Sequence, residues 1–273
     1  MSRPLPVLGA ALTLDMLARH RDWVLSAPRD VELQSFASAR ALMGDMTPLI
    51  DRARGLLDGH VGRLGLHGPF LGFSIDTYDP AVAEIVRTRM LACLDACAAL
   101  GADQMVVHSP VTIWDHSNHL AEPLQAQVQI ERVRWVMGPV LARAADQGVT
   151  LVLENVEDVD PAARLRLAEA LHSPALALSL DTGHAHYAHT LAGAPPVDAF
   201  IHAAGPRLHH VHLQDTDGFA DRHWHPGDGS LNWRAIFAAL STLRTMPRLI
   251  LEVNDQRGLR RGADHLVALG VAS

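Results

Sequence analysis

Histidine and acidic side chains close a series of short apolar segments in this sequence, and side chains of these types bind divalent metals or move protons. Six successive segments end in such a residue, namely His67, His108, Glu154, Asp181, His212 and Glu252. A charged group at the end of an apolar segment costs desolvation energy unless it is paired or bound to a metal. Three carboxylates that converge with imidazoles would create a strong negative potential, which a divalent cation balances. The pattern therefore predicts a metal site.

The polar segment that follows the apolar run around His212 adds two more candidate ligands, Asp221 and His223. Because they are two residues apart, an extended segment would place them on one face, where they could chelate one ion. A solvated polar loop is the alternative interpretation. Arg222 lies between them and is the best placed cation to bind a carboxylate or phosphate group of a substrate, unless it is an ordinary exposed loop arginine.

The types of basic residue exclude several classes of enzyme mechanism. All 23 of them are arginine, because the sequence contains no lysine. A Schiff-base aldolase, a pyridoxal enzyme and a Walker-type phosphate loop each require a lysine amine, so these classes are excluded. Histidine is abundant instead, with 17 residues, and this abundance favours metal or proton chemistry.

Length and charge narrow the remaining classes. The chain has 273 residues, of which 48% are hydrophobic and 19% charged, so it can form one large folded domain and is not disordered. The formal net charge is −7, without a run of basic residues. A general nucleic-acid binder is therefore disfavoured.

Cysteine usage and hydropathy indicate the compartment. Cys93 and Cys97 lie four residues apart in an apolar stretch, so they are expected in the core on one helix face and not in a disulfide. No uncharged run reaches about 18 residues, and the first residues lack the pattern of a signal peptide. We expect a cytoplasmic protein without a membrane span.

The candidate ligands must be positioned by the segments that precede them. Short apolar runs alternate with longer amphipathic segments, such as 81–100 and 124–147, as in βα units around a parallel sheet. Eight strands are predicted, over residues 7–12, 31–36, 64–70, 104–108, 150–156, 177–181, 209–214 and 249–253. The pattern predicts an α/β fold, a single (β/α)8 TIM barrel that forms one domain over residues 1–273. An open doubly wound sheet is the alternative, although no G-x-G-x-x-G motif follows the first strand.

The strand ends resemble those of the xylose isomerase-like TIM barrels, a family that includes sugar-phosphate isomerases and epimerases, inosose and 3-dehydroshikimate dehydratases, and endonuclease IV. The resemblance covers nearly the whole chain. The matching motifs are Leu-Glu154-Asn155, Asp181-Thr-Gly-His184, His210-Val-His212-Leu-Gln-Asp215 and the final Glu252. The resemblance implies that one divalent ion is held by Glu154, Asp181, His212 and Glu252.

The endonuclease IV branch of this family has further ligands that hold a three-metal cluster. The matching positions here are His67, His108, His184, Asp221 and His223. The resemblance thus implies two or three ions with Glu154 bridging, whereas in one-metal members the three histidines at 67, 108 and 184 could contact substrate instead. Only nine positions separate His212 from Asp221, fewer than in the DNA enzyme. This spacing and the negative charge disfavour a role in DNA repair.

The resemblance and the residues together suggest a divalent-metal-dependent isomerase or epimerase of a sugar, a sugar phosphate or a related keto-polyol. A bound ion would chelate adjacent carbonyl and hydroxyl oxygens and stabilise an enediolate, while Glu154 and Glu252 would remove and return the proton. His108, His184 and Arg222 are the candidate substrate-binding residues. The mixed ligand set suits Mn, Mg, Co or Zn.

Three alternatives for function stay open. The same enediolate could eliminate water, as in the inosose and 3-dehydroshikimate dehydratases. A multinuclear zinc site could hydrolyse a phosphodiester, as in endonuclease IV. A sugar- or metal-binding barrel without turnover is the third.

Two smaller expectations concern assembly and a loop. The resemblance implies a homo-oligomer, because family members form dimers or tetramers through barrel helices. Asp115, His116 and His119 are expected in a lid or in a solvated loop.

Overall fold

The computed structural model describes residues 4–118 and 123–273. Within these residues, eight parallel strands form a closed barrel in chain order, and helical segments follow every strand. The strands are β1 (Gly9–Leu12), β2 (Val31–Leu33), β3 (Leu64–His67), β4 (Gln104–His108), β5 (Thr150–Glu154), β6 (Leu176–Asp181), β7 (Leu208–Leu213) and β8 (Arg248–Leu251). The sequence therefore folds with all eight predicted strands in a single sheet.

The sheet closes because β1 pairs with both β2 and β8. The prediction of a (β/α)8 barrel is confirmed, and the open doubly wound sheet is wrong, since an open sheet leaves two edge strands without one neighbour each. The register also brings candidate ligands together. His108 on β4 pairs with Glu154 on β5, and Asp181 on β6 pairs with His212 on β7.

Helices cover the outside of the barrel. They are α1 (Leu14–Leu25), α2 (Ala39–Leu42), α3 (Thr47–Leu56), α4 (Pro80–Leu100), α5 (Ile113–Asn118), α6 (Pro123–Gln147), α7 (Pro161–Leu171), α8 (Thr182–Ala192), α9 (Val197–Ala204), α10 (Trp233–Ser241) and α11 (Leu259–Ala268). The main apolar core lies between these helices and the strands.

Helix α4 illustrates how local sequence determines an element. The Asp79 side chain accepts hydrogen bonds from backbone N–H groups of the first turn, Pro80 occupies the first turn, and Gly101 ends the helix with a left-handed φ of +71°. These are the preferred residues at the two ends of a helix. Cys93 and Cys97 are buried on this helix, as predicted, and both are free thiols.

The interior of the barrel holds both polar and apolar side chains, including a small apolar layer. Val106, Val152 and Ala177 lie in register on three neighbouring strands and form this layer. Gln104 and His210 also point inward from their strands. Both are buried, and their side chains are hydrogen-bonded to each other at 2.7 Å. The inward positions of the strands therefore hold polar as well as apolar side chains, whereas the outward positions pack apolar side chains against the helices.

Some strands end earlier than predicted. The apolar pattern over 31–36 suggested one strand, but β2 stops at Leu33, and Gln34–Phe36 forms a short 3-10 helix. Phe36 is fully buried in that turn, so the apolar pattern continues after the strand has ended. The other predicted boundaries differ from the observed strands by three residues or fewer.

Among the described residues, no helix combines the length and the apolar character that a membrane crossing requires. Asp115 and His116, predicted to form a lid or a solvated loop, lie on α5, where Asp115 accepts a hydrogen bond from Thr112. His119 lies outside the described residues.

Candidate metal centre

Nine histidine and acidic side chains converge at the carboxyl-terminal ends of the strands, and they are the nine residues predicted to bind metal. Their ligand atoms form three groups, each with its atoms within 4.8 Å of one another: a histidine group of His67, His108 and Glu154, an inner group of Glu154, Asp181, His212 and Glu252, and an outer group of His184, Asp221 and His223. Glu154 belongs to two of them. The structure places the predicted ligands together, and metal binding by each stays a prediction.

The inner group is centred on the imidazole of His212. Its Nδ1 lies 3.2 Å from Glu154 Oε1 and 3.1 Å from Glu252 Oε2. His212 Nδ1, Glu154 Oε2 and Asp181 Oδ2 are buried, and none of them has a hydrogen-bond partner. Buried acceptors without donors are costly, and a divalent cation would satisfy all three. The donor set of carboxylates and one imidazole therefore fits such an ion.

The histidine group lies on the other side of Glu154. His67 Nε2 and His108 Nε2 are 4.0 and 3.9 Å from Glu154 Oε2. His67 Nδ1 donates to the Gly68 carbonyl at 2.8 Å, which leaves Nε2 free to act as a ligand. Burial is the main reason that the pKa of His108 falls to about 3. The His108 imidazole is thus suited to the neutral, metal-binding form.

The outer group is held together by Asp221. Its two oxygens lie 3.3 Å from His184 Nε2 and 3.1 Å from His223 Nε2. His184 Nδ1 donates to the Asn155 carbonyl at 2.9 Å, so its Nε2 faces the group. His223 adopts a φ of +47°, a conformation that is uncommon for residues other than glycine and is found at functional sites.

Glu32 is a further candidate site residue, which the sequence analysis missed. It lies on β2 inside the barrel, and its carboxylate accepts from His212 Nε2 at 3.1 to 3.2 Å. This contact keeps the proton on Nε2 and points Nδ1 at the inner group, as carboxylates commonly do behind metal-binding histidines. His210 Nε2 lies 3.2 Å from the same carboxylate. The one available signal was a charged residue inside the apolar strand Val-Glu-Leu.

Gln34 was missed as well, because it was assigned to a strand. Its Nε2 donates to Glu252 Oε1 at 2.8 Å. This bond leaves Glu252 Oε2 as the oxygen that faces His212. No sequence motif indicated the contact.

Mutual charge explains how the inner group titrates. Burial opposes protonation of His212, but the carboxylates of Glu252, Glu32 and Glu154 raise its pKa well above the usual value for imidazole. Burial raises the pKa of Asp181 to about 6, against the opposing effect of His184. Protons on imidazoles thus balance the carboxylates when no cation does so, and metal binding would release them.

A cavity of about 570 Å³ opens above the three groups, within the range of about 300 to 1,000 Å³ that holds small-molecule ligands. Besides candidate ligands, its wall includes Gln34, Ser38, Phe70, Leu71 and Val156. Among the residues that the structure describes, no arginine lines it. A substrate in this cavity would therefore meet carboxylates, imidazoles, one amide, one hydroxyl group and apolar side chains.

Arg222, predicted to bind substrate, lies outside the wall of this cavity. Its guanidinium pairs with Asp217 at 3.0 Å and lies 5.5 Å from the ring centre of Trp224. The role of Arg222 stays a prediction.

Comparison with known proteins agrees with this fold. The sequence profile of the xylose isomerase-like TIM barrel family matches residues 30–269. An uncharacterized protein of Methanocaldococcus jannaschii is 21% identical over 194 residues, which make up 69% of this chain and 63% of that protein. The match thus spans less than two thirds of that relative's length.

Solved structures share the fold over nearly the whole chain. A protein from Thermus thermophilus, in a structure soaked with ZnCl2, is 26% identical with a TM-score of 0.69, over 94% of this chain and 98% of that one. D-allulose 3-epimerase from Methylomonas, in complex with D-allulose, is 16% identical with a TM-score of 0.69, over 98% of this chain and 99% of that one. At 16% identity the second likeness shows the fold alone.

Proposed function

The chain belongs to the xylose isomerase-like TIM barrel family, and from this premise we propose that it is a divalent-metal-dependent isomerase or epimerase of a sugar, a sugar phosphate or a related keto-polyol. One observation carries the proposal. Glu154 and Glu252 each place an oxygen within 3.2 Å of His212 Nδ1, and both line the cavity. Two carboxylates in this arrangement suit proton transfer at one carbon.

The two carboxylates are available for different reasons. Glu154 Oε2 has no hydrogen-bond partner. Glu252 Oε1 is occupied by Gln34, while its Oε2 faces the inner group. Since the residues come from different strands, one can accept a proton from a substrate carbon while the other returns a proton to the opposite face. Epimerisation needs both steps, and isomerisation needs the proton returned to the neighbouring carbon.

The inner group would hold the ion through Glu154, Asp181, His212 and Glu252. When bound there, a divalent ion supplies Lewis acidity toward neighbouring carbonyl and hydroxyl oxygens, which makes the adjacent carbon easier to deprotonate. Glu32 would keep His212 in the tautomer that presents Nδ1. His108 and His184 line the cavity and would orient substrate hydroxyl groups by hydrogen bonds.

Deuterium exchange tests the proposal before a product is known. Ketoses, inososes and their phosphates would be incubated in D₂O with protein loaded with Mn²⁺, Co²⁺ or Zn²⁺, and the C–H signals followed by NMR. We expect metal-dependent loss of the signal next to the carbonyl for at least one class, and a chelator should abolish it. A dehydratase would instead convert the substrate to a product that has lost water. Exchange that persists in the chelated protein would contradict the proposal.

A multinuclear zinc hydrolase is the second candidate function. The observation in its favour is that the three groups adjoin, with Glu154 shared by two of them. Adjacent ions could stabilise the attacking and leaving oxygens of a phosphodiester. Elemental analysis and turnover of bis(p-nitrophenyl) phosphate distinguish the two functions. Two or three zinc ions with phosphodiester turnover and no deuterium exchange would favour the hydrolase.

A further inference from the structure

Gln214 lies where the inner and outer groups meet. Its side chain is completely buried. Its Nε2 donates to Asp181 Oδ1 at 3.1 Å and to Asp221 Oδ1 at 3.0 Å, and its Oε1 accepts from the His223 backbone N–H at 3.0 Å. Both amide hydrogens and one oxygen lone pair are therefore used. One neutral side chain fixes a candidate ligand carboxylate from each group.

The outer group depends on such a contact because two of its members lie in a loop. Asp221 and His223 belong to the segment between β7 and α10, and the Asp221 side chain is 47% exposed. Gln214 bonds to the side chain of the first and to the backbone of the second, the residue whose φ is +47°. The amide thereby holds the loop in the conformation that points both side chains at His184.

Gly183 provides the space that this arrangement requires. A Cβ at position 183 would lie 2.2 to 2.5 Å from the Cδ, Oε1 and Nε2 atoms of Gln214. Gly183 lies in the first turn of α8 and is not among the glycines with positive φ. Its lack of a side chain therefore serves close approach and not backbone conformation.

We propose that Gln214 is the positioning residue that assembles the outer group as an ion site and joins it to the inner group. The inference rests on the proposed function, since it requires that the chain binds divalent ions. The neutral amide is essential to it. A carboxylate at position 214 would place a third negative charge beside Asp181 and Asp221, whereas the amide donates to both.

Zinc titration of Gln214→Met tests the inference, because methionine keeps the length of the side chain and removes the amide. Zn²⁺ binding would be measured by competition with a chromophoric chelator and by elemental analysis, with Asp221→Asn as the reference that removes an outer ligand directly. We expect Gln214→Met to weaken one Zn²⁺ by about 10- to 100-fold and to match Asp221→Asn. The double variant should lose no more than either single variant.

Gly183→Ala provides an independent route to the same result. The added methyl group should displace the Gln214 amide and weaken the same ion. Gly138→Ala is the matched control, because Gly138 also lies in a helix and a Cβ there meets nothing within 4 Å. Circular dichroism would confirm that each variant folds, and Gly183→Ala decides the matter if Gln214→Met does not fold.

Gln214→Glu separates ion positioning from a purely structural role. The added negative charge should lower the melting temperature more in chelator-treated protein than in zinc-loaded protein, because bound ions compensate it. Equal losses in both states would overturn the inference. The inference would also be overturned if Gln214→Met bound zinc as tightly as the wild type, or if the wild type bound one ion per chain and Asp221→Asn kept that ion. These results would leave the proposed function intact. Absence of any bound ion in the wild type would overturn both.

Discussion

The two ends of the barrel treat charge in opposite ways. At the amino-terminal end, Asp30 pairs with Arg63 at 2.5 Å, and Asp103 pairs with Arg248. At the carboxyl-terminal mouth, the acidic side chains face imidazoles and one another, and among the described residues that line the cavity there is no arginine. Arginines neutralise the carboxylates at one end, whereas at the other end imidazole protons do so, and a divalent cation could replace those protons.

Histidines at the two ends respond accordingly. Burial lowers the pKa of His209 at the start of β7, and the positive charges of Arg207, Arg248 and Arg63 lower it further. At the mouth, burial opposes protonation of His223, but hydrogen bonding to Asp221 and the charge of Glu252 raise its pKa to about 9. The difference agrees with our proposal that the mouth carries the chemistry, and in barrels of this type the amino-terminal end commonly serves stability.

Glu154→Gln should produce the largest effect. It removes the carboxylate shared by two groups and the proposed base, so deuterium exchange on an identified substrate should fall by about 1,000-fold or more. The melting temperature of chelator-treated protein should also fall, because Glu154 Oε1 lies 3.2 Å from His212 Nδ1 and 3.5 Å from His184 Nδ1, and both imidazoles would lose a charged partner. NMR and calorimetry measure the two quantities. Preserved exchange on the identified substrate would contradict the assignment of chemistry to the mouth.

Metal removal should have the next largest effect, and on stability. Restoring Zn²⁺ to chelator-treated protein, at a free concentration about 100 times its Kd, should raise the free energy of unfolding by about 3 kcal/mol. Glu154→Gln should lose most of this increase, whereas Asp30→Asn should keep it. Urea denaturation with and without Zn²⁺ provides the measurement, and equal increases in all three proteins would contradict a metal site at the mouth.

Asp30→Asn should destabilise the fold without affecting the chemistry. The Asp30 carboxylate accepts from the backbone N–H, Nε and Nη2 of Arg63, and loss of these charged hydrogen bonds should cost about 2 kcal/mol. Deuterium exchange and metal content should stay at wild-type levels. Asp146→Asn, at an exposed position, is the control and should change neither stability nor exchange. A loss of bound metal in Asp30→Asn would show that the two ends are coupled.

His209→Gln should have the smallest effect, visible as a change in pH dependence. Native His209 binds a proton more weakly than the unfolded chain does, so its contribution to stability falls as the pH drops through about 6.5. The variant lacks this contribution. The stability of the wild type relative to His209→Gln should therefore decrease between about pH 7.5 and pH 5.5 in urea denaturation. An increase would mean that Arg207, Arg248 and Arg63 do not lower the pKa of His209.

The barrel and the nine candidate ligands could be predicted because they depend on local patterns. Apolar runs alternate with amphipathic segments, and the ligands sit at or just after the ends of those runs. The same dependence on local patterns made the predicted strand 31–36 too long. Phe36 is buried in a 3-10 turn, and its apolar side chain continues the pattern of the strand. Periodicity reports which residues are buried, and it does not report which backbone geometry buries them.

Contacts across the barrel could not be predicted in this way. Glu32 accepts from His212, 180 positions away, and Gln34 donates to Glu252, 218 positions away. Gln214 joins two groups whose members come from different strands and a loop. These partners depend on the register of eight strands and on the path of each loop.

The sequence by itself determined the chemical types at the mouth, because each side chain follows its own strand. Only the tertiary structure decided which atoms of those side chains face one another, which nitrogen of His212 is free, and which carboxylates are left unpartnered. The physical reason is that hydrogen bonds and ion contacts act over about 3 to 4 Å, and closure of the barrel alone brings residues so distant in sequence within that range.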